Sequence, residues 1–157
     1  PSVMACLVHA SVAVIAIGIS FSGPYKLETE TELSVGKSVQ IGAYTVTLAQ
    51  MYEGRGSNFS FIEAELKLSK NGSEIASVSP QRRLYDKFTR SAFSEAATLP
   101  SLGSEFYATL LGVNGSNAVL RMSSNPGVNW LWIGAALMSL APLIGLRRRQ
   151  RKAEEGK

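Results

Sequence analysis

A chain of 157 residues has room for about one ordinary domain once its long apolar segments are set aside. Its net charge of +4 is localised: residues 25–126 hold ten Lys/Arg against ten Asp/Glu, while residues 147–157 hold six basic residues against two acidic ones. That distribution leaves no basic groove for nucleic acid. A single cysteine (Cys6) and a single histidine (His9) exclude a disulfide framework, a thiolate metal site and any catalytic constellation that needs a second histidine or cysteine.

The chain begins at Pro1 rather than Met, so it reads as a fragment or a processed product. Residues 3–21 carry no formal charge, and at about 1.5 Å per residue a helix of that length matches the ~30 Å hydrocarbon core of a bilayer. The alternative reading is a cleavable signal peptide ending at Ser20-Phe21-Ser22. Against it stand the missing basic n-region and an apolar run longer than the usual h-region of about 7–15 residues.

Beyond Gly23 the period changes to two. Leu27, Thr29, Thr31 and Leu33 alternate with Glu28, Glu30 and Glu32, predicting a half-buried strand with its charges on one face. Tyr44, Val46 and Leu48 predict a second strand, and Ile62, Ala64, Leu66 and Leu68 a third. Asn71-Gly72 and Asn114-Gly115 each separate two further strand-like runs and suit the type I′ hairpin turn. Both are followed by Ser, which completes a glycosylation triplet, as does Asn58-Phe59-Ser60; the turn reading is preferred at the two Asn-Gly sites. Residues 91–99 are predicted as a short helix.

Residues 128–146 form a second uncharged run, with Trp130 and Trp132 at its start and Arg147-Arg148-Arg149 after its end. That is the interface and positive-inside pattern of a membrane span. Pro142 within it is tolerated in a membrane bundle, where neighbouring helices satisfy the freed backbone.

The predicted fold class is therefore membrane α plus all-β. Two transmembrane helices (1–23 and 127–146) flank an extracytoplasmic antiparallel β-meander (24–126), closed as a small barrel or sandwich, and a basic cytoplasmic tail (147–157) follows. The protein is expected in the cytoplasmic membrane, with both termini of this chain inside.

His9 lies within the first span, where an ionisable group is costly and marks a functional site by default. Ala5, Ala13, Ala16 and Ser20 share its face at helical spacing, the small-residue pattern of closely packed membrane helices, so His9 is expected to face protein. Two uses fit a neutral imidazole there: a hydrogen bond to another helix, or an axial bond to haem iron, whose second ligand would come from outside this chain. Arg82, Arg83 and Tyr85 form the densest polar cluster of the central segment. They suit either a grip on carboxylates, such as haem propionates or an acidic partner, or a plain solvated strand end. The chain alone is not expected to be catalytic.

Taken together, the His-bearing apolar helix, Gly23-Pro24-Tyr25, Gly36-Lys37-Ser38-Val39, Pro80-Gln81-Arg82-Arg83-Leu84-Tyr85, Ser94-Glu95-Ala96-Ala97, Glu105-Phe106-Tyr107 and Trp130-Leu131-Trp132-Ile133-Gly134 have a familiar order and spacing. The chain resembles, over nearly its whole length, the C-terminal part of the CcmF family of cytochrome c haem lyase subunits. The resemblance implies a part in attaching haem to apocytochrome c outside the cytoplasmic membrane, with the haem chaperone CcmE and a CcmH-type thiol protein as partners. It also implies that His9 is one axial ligand of a transmembrane b haem, the second coming from an upstream region. The family's tryptophan-rich haem-handling segment has no counterpart here, and Trp130 and Trp132 are not that segment. The competing reading is a non-enzymatic, membrane-anchored binding module with a cleavable signal peptide.

Overall fold

The computed structural model describes residues 3–88 and 91–155. It divides into a helical pair, residues 1–25 with 126–157, and a β unit, residues 26–125.

The helical pair consists of α1 (Val3–Ser22) and α2 (Val128–Glu155). By length and composition α1 is apolar enough to cross a membrane. The apolar stretch of α2, Val128–Ile144, is shorter. The helix continues through Pro142 and into the basic segment as far as Glu155, and residues 156 and 157 of the expected tail lie outside the described residues.

The two helices approach closely because small residues meet at the contact. Ser11 and Gly18 are the buried residues of α1. A Cβ built on Gly134 would come within 2.5 Å of Ile15 Cγ1 and 3.1 Å of the backbone at Ile15 and Ser11, while one on Gly18 would come within 3.0 Å of Leu131. Only glycine fits such a backbone approach.

The β unit holds ten antiparallel strands: β1 (Leu27–Ser34), β2 (Ser38–Ile41), β3 (Tyr44–Arg55), β4 (Phe59–Lys70), β5 (Ser73–Val78), β6 (Gln81–Tyr85), β7 (Ala92–Glu95), β8 (Ala97–Leu99), β9 (Ser104–Asn114) and β10 (Asn117–Pro126). They form a four-stranded sheet ordered β1-β10-β9-β8 and a larger sheet ordered β2-β3-β4-β6-β7, with β5 also paired to β4. Of the two closures expected, the sandwich is the one formed. It is not a plain meander, since β4 pairs with both β5 and β6 and the chain passes from the large sheet to the small one between β7 and β8.

The core is the set of side chains that alternation turns inward. Leu33, Phe106, Ala108, Leu110, Ala118, Leu120 and Met122 come from the small sheet, and Tyr44, Val46, Leu48, Ala64, Leu66 and Leu68 from the large one. The Tyr44 hydroxyl, buried among them, donates to the Ser104 carbonyl, so its polar tip is satisfied across the sandwich.

Two further expectations are corrected. Residues 91–99 are not a helix but β7 and β8: Ala92 and Phe93 pair with β6, and residues 97–99 pair with β9 in the other sheet. Tertiary pairing overrides the weak helical preference of an Ala-rich segment. At the second hairpin the loop is Gly115-Ser116, because Asn114 belongs to β9. Only Gly115, at φ +60°, is left-handed, as a type II′ turn requires. Asn71-Gly72, with φ of +52° and +79°, does form the expected type I′ turn. On α1 the face that meets α2 carries Ser11, Ile15 and Gly18, and at 100° per residue it lies about 150° round the helix from His9 and its small neighbours.

Candidate functional site

His9 stands exposed on α1, on the face turned away from α2. Its Nδ1 is 2.7 Å from the Ala5 carbonyl oxygen one turn back, a group that can only accept, so Nδ1 carries the proton. The lone pair then resides on Nε2. A metal-bound histidine has this arrangement: one ring nitrogen donates to a carbonyl and fixes the tautomer, and the other is free to ligate. The flanking Ala5, Ala13 and Ala16 project little beyond the backbone, so a broad flat group can reach the ring. Among the described residues there is no group of three or more His, Cys, Asp or Glu side chains that could hold a metal ion. The residues present therefore fit one axial position of a haem and no self-contained metal centre.

The β6 cluster is split by the pleat. Side chains on successive residues point to opposite faces, and the register Glu53↔Ile62↔Arg82 and Ser60↔Leu84 places Arg82 and Leu84 on the face that carries the core. Gln81, Arg83 and Tyr85 lie on the outer face with Glu63, Phe61 and Phe59.

On the outer face Arg83 is fully engaged. Its guanidinium lies 4.9 Å from the Phe59 ring centroid, Nε donates to Gln81 Oε1 at 2.9 Å, and a terminal nitrogen is 3.4 Å from Glu95 Oε1. Gln81 in turn donates to Glu63. Tyr85 packs between Phe59 and Phe93, with centroids at 5.3 and 5.7 Å, and Phe88 extends the row to Phe93 at 6.3 Å. Gly54 and Gly56 on β3 leave room for this row, since a Cβ at either would fall 2.6–2.7 Å from the Phe61 or Phe59 ring.

On the inner face Arg82 is different. It is half-buried and has no hydrogen-bond or ion-pair partner among the described residues. It lines a cleft of about 370 Å³ with Glu53, Gly54, Ser60, Phe61, Ile62, Arg83, Leu84 and Ala92. Glu53 and Ile62 were not singled out from sequence. The only available signal was their position on alternating strands, and the register needed to align them with Arg82 is set by a bulge between Leu48 and Gln50.

A second charged group covers the outer face of β1 and β10, where Arg121 lies 3.3 Å from Glu30 and 3.9 Å from Glu28. Lys26 pairs with Glu28 at 2.5 Å. The Lys26 hydrogen bond, then its charge and that of Arg121, hold the Glu28 carboxyl below its usual 4.5.

Known proteins share this architecture. The family described as CcmF C-terminal beta-sandwich matches residues 24–126. The cytochrome c-type biogenesis protein CcmF of Haemophilus influenzae is 32% identical over 139 residues, covering 88% of this chain and 21% of that protein. CcmF of Pseudomonas aeruginosa is 33% identical over 148 residues, covering 92% and 22%. A solved structure, cytochrome c heme lyase CcmF, superposes with a TM-score of 0.75 at 25% identity over 90% of this chain and 24% of that one. The chain thus spans about a fifth of the length of the curated relatives it matches. It belongs to the CcmF family of cytochrome c-type biogenesis proteins, and residues 24–126 are the family's C-terminal β-sandwich.

Proposed function

We infer that this chain acts in cytochrome c maturation as the C-terminal portion of a haem lyase, with α1 supplying one axial ligand of a membrane-embedded b haem through His9. The observation that carries this reading is the His9 geometry: Nδ1 committed to the Ala5 carbonyl, and Nε2 available on a helix face that α2 leaves open. The second ligand would come from the upstream region of the full-length protein, and a b haem held there would supply an electron for reducing the iron of the haem being attached. This chain's own contribution is to fix the imidazole tautomer, point Nε2 away from α2, and hold α1 against α2 through Ser11, Gly18 and Gly134.

In this reading α1 and α2 cross the cytoplasmic membrane and the β-sandwich faces the extracytoplasmic side, with the basic end of α2 inside. The sandwich serves as a docking platform for the proteins of the pathway: the haem chaperone CcmE, the CcmH-type thiol protein and apocytochrome c. Of the three residues of the β6 cluster, Arg82 is placed to meet an incoming carboxylate, whereas Arg83 and Tyr85 support the sheet around it.

The ligand claim is tested by replacing His9 with Ala in the full-length protein and measuring haem content and the reduced b-type absorbance after purification. The expected result is a strong loss of that absorbance with the protein still folded, because His9 is exposed on the face of α1 turned away from Ser11 and Gly18. Unchanged haem content and spectrum would overturn it.

A further inference from the structure

A half-buried arginine without a counter-charge is unusual, because a desolvated cation is normally paired or hydrogen-bonded. Among the described residues Arg82 has no such partner, and Glu53, exposed on the other side of Ile62, has no hydrogen-bond or ion-pair partner either. Neighbouring strands lie about 4.8 Å apart, so the two backbones stand about 10 Å apart across the sheet. No ion pair joins the two side chains among the described residues. Between them the floor is Ile62, with Leu84 and Ala92 alongside. The cleft is thus dipolar: a cation at one end, an apolar floor, and a carboxylate at the other end.

We propose that this cleft is a docking site for an extended peptide segment of a protein partner, which presents a carboxylate to Arg82, an aliphatic side chain to Ile62 and a cation to Glu53. Charge complementarity selects this occupant. A tetrapyrrole edge carrying two propionates would satisfy Arg82 but leave Glu53 facing an anion, whereas a segment with one acidic and one basic side chain satisfies both ends. In an extended chain the side chains at every second position share a face, so an acidic, an aliphatic and a basic residue at alternate positions reach the three points together. Arg83 also lines the cleft, but its guanidinium is already held by Glu95, Gln81 and Phe59, which leaves Arg82 as the cation open to the ligand. The proposal rests on reading the sandwich as a docking platform and is independent of the haem ligand on α1.

The test uses the whole 157-residue chain in lipid nanodiscs. The probe is a fluorescein-labelled, amide-capped peptide of sequence Lys-Ser-Val-Ser-Asp, with binding followed by anisotropy. Saturable binding is expected, weakened at least about ten-fold when the peptide's Asp is changed to Asn and by a similar factor in Arg82→Gln, since each change removes a charge-assisted hydrogen bond. The Asp-to-Asn comparison is made on the unaltered chain, so it stands even if Arg82→Gln fails to fold. Glu53→Gln should weaken the same peptide, and Arg83→Gln should not. Equal affinity for the two peptides, or no saturable binding, would overturn the proposal while leaving the His9 absorbance experiment untouched. Displacement of the peptide by haemin but not by its dimethyl ester would overturn it in favour of a propionate site.

Discussion

Adjacent residues on one strand carry opposite assignments when the pleat is taken into account, as Arg82 and Arg83 show. Arg83 stacks on Phe59 and bonds Gln81, and its side chain is only 28% exposed. Arg83→Ala should therefore cost about 1–2 kcal/mol in a thermal melt of the chain, from the lost ring contact and hydrogen bonds. Arg82→Ala, which breaks no described pair, should stay within about 0.5 kcal/mol. Glu28 gives a pH signature at the same scale. Its folded pKa is lowered by Lys26 and Arg121, so its contribution is present above the usual value of 4.5 and is lost as pH falls through the folded value. Glu28 is fully exposed, so the effect is small and screened. In Glu28→Gln the fall of melting temperature below pH 4.5 should become slightly shallower, and a steeper fall would contradict the assignment.

Elements were legible where apolar residues alternate without interruption. Leu27–Ser34 and the central parts of β3, β4, β9 and β10 follow directly from period-two patterning, and α1 from its uncharged run. The remainder was hidden for identifiable reasons. The bulge between Leu48 and Gln50 reverses the parity of β3, so the alternation read through Leu48 does not continue to Arg55. The five residues of β6 include two arginines facing opposite ways, which reads in sequence as a polar cluster rather than a strand. Residues 92–99 satisfy two different sheets, and nothing local specifies that crossing. At the candidate site, His9 and Arg82 were visible by residue type, but the placement of Arg82 and Glu53 on either side of Ile62 exists only in the register.

Close packing at two glycines gives a further expectation at this scale. Gly54→Val must displace the Phe61 ring, whose Cζ lies 2.6 Å from the added Cβ, at about 1–3 kcal/mol. At Gly134 the obstacles include backbone atoms of Ser11 and Ile15, which cannot swing aside. Gly134→Val should separate α1 from α2, read as lost disulfide cross-linking between cysteines introduced at the contact. Cross-linking at the native rate would contradict this packing.

At the scale of the whole molecule, the proposed function assigns a haem ligand inside the membrane to the helical pair and partner docking outside it to the sandwich. A cysteine placed at Ser73, the exposed first residue of β5, should react with a membrane-impermeant thiol reagent on the extracytoplasmic side of intact spheroplasts, and labelling only after lysis would reverse the proposed sidedness. The central claim is the bond from His9 to iron, and the most direct measurement is the ferric low-temperature EPR spectrum of the full-length protein carrying His9→Met. With His9 as a ligand, the low-spin signature of two histidines is replaced by that of a changed axial set, and the reduction potential of any haem retained rises. A spectrum and potential identical to those of the unaltered protein would show that His9 does not bind the iron.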